Sequence, residues 1–181
     1  MTPTSQQTSA TAAGPTFVGD FGQRVHPILP LLAFAAALYV NVVLSVPAAS
    51  PGQPAWMWRL GLGLGALMAV ALPFMLWAYF AVFVHTWLIL FDRDVTLPQV
   101  ANRFSFAFLL AAGGKLLEVQ SAYGGYTALA RWPYIVLSVA GLGLASHSIH
   151  RDLEVPLEDS SLAVVAALLA LQLLFYFVNL T

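Results

Sequence analysis

One stretch constrains this chain more than any other. From Leu60 to Phe91 there is no charged side chain; the run opens at Trp58-Arg59 and stops at Asp92-Arg93-Asp94. A segment that long and that apolar reads as a helix crossing a membrane. Leu60 to Leu90 is 31 residues, about 46 Å of helix against a hydrocarbon core of about 30 Å. Two spans do not fit, because each half is too short. One tilted or protruding helix does, with Pro73 as the expected kink.

The composition agrees. Hydrophobic residues make up 60% of the chain and charged residues 8%, where a soluble domain carries roughly 25% charged. The mean hydropathy is +0.81. A net charge of −1 argues against nucleic acid, whose phosphates call for a basic patch. With no cysteine, disulfides, thiolate catalysis and Cys-ligated metal centres are excluded. Residues 2–20 hold no Lys or Arg, so no secretory signal is expected. Residues 1–25 read as a disordered polar tail.

Hydropathy and punctuation divide the remainder, residues 26–181, into a bundle of five transmembrane helices at about 28–46, 60–91, 98–122, 133–149 and 162–178. The expected fold class is therefore an all-α polytopic membrane protein. His26-Pro27 and Pro30 open the first helix and Pro47 closes it. Pro98 opens the third and Pro133 the fourth. Ser160 or Ser161 is the expected N-cap of the fifth, with Glu158 and Asp159 suiting the positive end of its dipole. Five spans put the termini on opposite sides. Arg24, Arg93, Arg103 and Arg151 fall on the N-terminal side, Arg59 and Arg131 on the other, so the N-terminus is expected in the cytoplasm. Arg103, near the start of the third helix, is expected to reach the membrane interface.

All four histidines fall on the cytoplasmic side in this topology. His85 lies near the exit of the second helix; His147 and His150, three apart, share one face of the fourth. Imidazoles so placed could hold a metal or supply axial ligands to a haem. Equally, they could be ordinary interfacial residues, since no metal motif of recognised spacing is present. Lys115 lies about 18 Å along its helix from Arg103, deep enough to be costly unless partnered. Glu118, at i+3, could neutralise it; the pair could also sit at the far headgroups or line a substrate or proton path. Gly61 and Gly65 form a Gly-xxx-Gly, and Gly113 and Gly114 break the bulk of the third helix; such residues let helices approach closely. Nucleophile elbows, P-loops and dinucleotide fingerprints are absent, and no catalytic residue is assigned.

The segment Phe83-Val84-His85-Thr86-Trp87-Leu88-Ile89-Leu90, a short polar turn, and then Thr96-Leu97-Pro98-Gln99-Val100 and Phe104-Ser105-Phe106 resemble the Yip (Ypt-interacting protein) family of five-span membrane proteins. The likeness covers roughly Leu60 to Val178, mostly as hydropathy and loop length. Asp92-Arg93-Asp94 stands where that family commonly has a Gly-Gly tip, Gly113-Gly114 replaces a proline of its third helix, and the Asp-Leu-Tyr-Gly-Pro stretch of its trafficking members is missing. The resemblance implies a non-enzymatic helical bundle that organises a membrane or a complex. The functional expectation is a scaffold or accessory subunit whose partners are the bilayer and other membrane proteins. The alternatives are a haem-, metal- or pigment-associated subunit using His85, His147 and His150, and a small transporter using Lys115 and Glu118. The sequence specifies no cofactor.

Overall fold

The computed structural model describes residues 17–45, 54–125 and 131–180. They form six helices and, among the described residues, no strand: α1 (Phe17–Arg24), α2 (Ile28–Ser45), α3 (Ala55–Leu90), α4 (Leu97–Tyr123), α5 (Trp132–Asp152) and α6 (Leu157–Leu180). Three of them, α3, α5 and α6, are long and apolar enough to cross a membrane, and the chain is a membrane-spanning protein on that ground. The apolar part of α2, Ile28–Leu44, is shorter. α4 has the length, but Gln99, Asn102, Arg103, Lys115 and Glu118 dilute its apolar character.

α4 is nevertheless the inside of the molecule. It packs against α1, α2, α3 and α5, and Val100, Phe104, Phe108, Ala111 and Ala112 are buried at its contacts. A helix shielded by its neighbours can carry polar side chains where a lipid-facing one cannot. Its start is well specified: Pro98 sits in the first turn, and Gln99 Oε1 accepts a 2.9 Å hydrogen bond from the Thr96 N–H, which otherwise has no helical acceptor.

Two glycines set the α4–α5 crossing. A Cβ on Gly141 would lie 2.8 Å from Ala107 Cα, and one on Gly114 2.8 Å from Tyr134 Cα. The contacts are seven residues apart on both antiparallel helices, so the close approach repeats at the heptad period. Side-chain donors tie the other helices together. Tyr79 donates to the Ala167 carbonyl at 2.8 Å, joining α3 to α6; Trp77 Nε1 donates to Ala101 O at 3.0 Å, joining α3 to α4. Both use the second lone pair of a carbonyl already engaged in its own helix.

Three sequence expectations change. Where a polar tail was expected through residue 25, Phe17–Arg24 is helical; residues 1–16 lie outside the described residues. α6 begins at Leu157, not 162, so Glu158, Asp159 and Ser160 lie inside its first turn. Ser160 donates back to Leu157 O at 3.1 Å rather than capping the helix. α3 begins at Ala55, because nothing between Trp56 and Arg59 breaks a helix.

Candidate functional site

Polar chemistry gathers at the end of the bundle that holds the α3–α4 turn and the α5–α6 connection. Arg103 of α4 does not reach outward as expected. Its side chain is 7% exposed and Nη1 stands 3.5 Å from Asp152 Oδ2 of α5, itself 4% exposed. Ser148, one turn before Asp152, donates to the same oxygen at 2.6 Å, holding the carboxylate in place. Arg103 Nε is buried and has no hydrogen-bond partner among the described residues. α1 roofs the pair: Gly19 lies so close that a Cβ there would run into the Asp152 carboxylate and lie 2.6 Å from Arg103 Nη1. Phe17 and Phe21 hold α1 in place through edge contacts to Phe106, with ring centroids 5.5 and 5.2 Å away.

A second ion pair closes the same end. Arg93, in the charged turn Asp92-Arg93-Asp94, binds Asp159 of α6 through Nη2 at 2.6 Å and Nε at 2.9 Å. The triplet that stops α3 thus pins the α3–α4 turn to α6. Asp92 takes a positive φ of 54°, the left-handed turn conformation that aspartate tolerates better than most residues.

His147 and His150 lie together, ring centroids 6.2 Å apart, and His150 Nδ1 is 2.7 Å from the Val155 carbonyl. His85 is on α3, whose backbone does not pack directly on that of α5. Among the described residues no three His, Asp or Glu side chains converge as a metal-binding group.

Lys115 and Glu118 meet each other, Nζ to Oε2 at 2.9 Å, with side chains 14% and 17% exposed. Lys115 Nζ also stands 5.3 Å from the centre of the Tyr134 ring, a cation–π contact that binds the pair to α5. Beside it, Gly114 makes the close contact already described. Gly65 packs on Val42 of α2, whereas Gly61 and Gly113 have nothing within 4 Å of a built Cβ.

Two cavities adjoin. α6 packs on α3 and α5 but not on α4. The gap is an inner chamber of about 180 Å³ lined by Phe34, Phe80, Phe108, Tyr134 and Ser138, with Leu142 and Leu168 at its margin. Ser138 Oγ is buried there without a partner in hydrogen-bonding geometry among the described residues; the Tyr134 hydroxyl, one turn back, is its polar neighbour. Leu142 and Leu168 are shared with an outer chamber of about 280 Å³ between α5 and α6, which runs past Gly143 to Ser146, His147 and Ser161.

Sequence reasoning missed the Arg103–Asp152 pair, the Arg93–Asp159 pair and both chambers. The charges gave a signal, since each arginine has acids on its own side of the expected topology; the chambers gave none. Comparison with protein-family models, curated proteins and solved structures finds no match.

Proposed function

We propose that the protein is a non-enzymatic integral membrane scaffold or accessory subunit. It has five spans, α2 to α6, with the N-terminus in the cytoplasm, in the manner implied by the resemblance to the Yip family. The observation that carries the reading is the N-terminal part of α3. From Ala55 to Met68 no residue is buried; Trp56, Met57, Leu60, Leu64 and Leu67 are exposed. Gly61 and Gly63 have open space beside them. At 36 residues α3 is about 54 Å long, far longer than α2, its neighbour at that end. Two residues apart, the glycines open nearly opposite sides of an exposed apolar helix, and either side is one that another transmembrane helix can approach closely. The charges inside the bundle pair with one another and so serve its packing: Lys115 with Glu118, Arg103 with Asp152.

Purification of the tagged protein in mild detergent tests this. Specific membrane proteins are expected to co-purify in fixed ratio, and Gly61→Leu with Gly63→Leu is expected to release them while the fold persists. Recovery of the protein alone, with an activity of its own, overturns the reading. The alternatives, a cofactor-bearing subunit and a transporter, are separated by two observations on the same preparation. A haem or pigment absorption band supports the first, and flux that depends on Lys115 supports the second.

A further inference from the structure

We propose that the two chambers together bind a neutral, single-tailed amphiphile. Its compact, oxygen-bearing head, of about the size of a phenol, occupies the inner chamber against Ser138 and Tyr134, and its aliphatic tail leaves between Leu142 and Leu168 across Gly143. Three independent observations meet there. The inner chamber is half-open and about 180 Å³, of the order of the roughly 150 Å³ apolar cavity that is known to take up benzene, and four aromatic rings, Phe34, Phe80, Phe108 and Tyr134, stand in its wall among aliphatic side chains. Ser138 Oγ is buried in that wall beside the Tyr134 hydroxyl, and among the described residues no hydrogen bond of good geometry satisfies it, whereas buried hydroxyls are ordinarily hydrogen-bonded. The outer chamber continues the inner one past the shared leucines, and a Cβ on Gly143 would meet nothing within 4 Å.

The lining fixes the chemistry of the occupant. No charged side chain faces the inner chamber, and Lys115 beside Tyr134 is already neutralised by Glu118. A charged head would lose its hydration without gaining a counter-ion. A head oxygen can accept from Ser138 while the ring or carbonyl packs on the phenylalanines. Ser138 and Gly143 are about 8 Å apart along α5, so only a ligand with a tail fills both chambers.

The test uses the full chain in lipid nanodiscs with 4-dodecylphenol carrying a diazirine in its chain as the probe. Photolabelling is expected to concentrate in residues 139–147 and 164–168. Excess 4-dodecylphenol is expected to compete, and dodecylbenzene, which lacks the hydroxyl, to compete roughly tenfold more weakly, the worth of one good hydrogen bond. Dodecanoate, whose head is charged, should compete more weakly than dodecylphenol. Ser138→Ala should erase the tenfold preference, and Gly143→Leu, which obstructs the outer chamber, should abolish the labelling. Gly113→Leu is the control, since Gly113 is equally open but outside both chambers, and it should label like the parent. Labelling spread evenly over all exposed helices, or surviving Gly143→Leu, overturns the site. Equal competition by dodecylbenzene with no effect of Ser138→Ala overturns the assignment of the head.

Discussion

Arg103 carries the largest single-residue consequence. It is a cation inside the bundle, held by one carboxylate, and truncating one member of a buried pair strands the other. Arg103→Met is expected to lower unfolding stability by about 3–5 kcal/mol, measured by reversible unfolding in mixed micelles. Combining it with Asp152→Leu should restore most of the loss, because the stranded charge is gone. If the single variant unfolds like the parent, the pair is not buried in the folded protein. The sequence placed Arg103 at an interface because a long basic side chain near a helix start usually snorkels. Asp152 is 49 positions away, and only the α4–α5 packing brings it beside the guanidinium. Lys115 and Glu118 were legible as a pair, since i,i+3 neighbours on a helix must meet; the Tyr134 ring above them was not.

At the scale of elements, α1 and α4 teach opposite lessons. α1 is eight residues long, too short to hold helical shape in water by itself. It is a helix because Phe17 and Phe21 rest on Phe106 and Gly19 fits over Arg103 and Asp152. Gly19→Val should therefore undock it: amide exchange in Phe17–Arg24 is expected to accelerate at least tenfold while α4 and α5 stay protected. Unchanged protection of α1 would mean that its contacts are not what fold it. The bounds of α4, by contrast, were legible to within a residue, because Thr96, Pro98 and Gln99 specify its start locally. What its sequence could not show is its central position. A helix too polar to count among the clear spans reads as marginal until its neighbours are seen to cover it.

At the scale of the whole molecule, the five-span topology makes a prediction about sidedness. The absence of cysteine makes the chain ready for labelling from either side. If α4 spans, Asp94→Cys and Gly124→Cys should react with impermeant maleimide from opposite sides, and Glu158→Cys from the same side as Asp94→Cys. The Arg93–Asp159 bond already puts the last two positions at one end of the bundle. Asp94 and Gly124 reacting from one side would leave α4 as a non-spanning helix and overturn the five-span topology.

By itself, the sequence determined that this chain is helical and apolar enough for a membrane, and roughly where its helices begin and end. Those properties follow from composition, periodicity and prolines, which act over a few residues. Tertiary structure alone decided that Arg103 is buried against Asp152, that Phe17–Arg24 folds, and that two chambers lie along α5. Each depends on which helices touch. Between apolar helices that choice is made by close-packed surfaces such as Gly141 on Ala107, and shape complementarity of that kind leaves little trace in hydropathy.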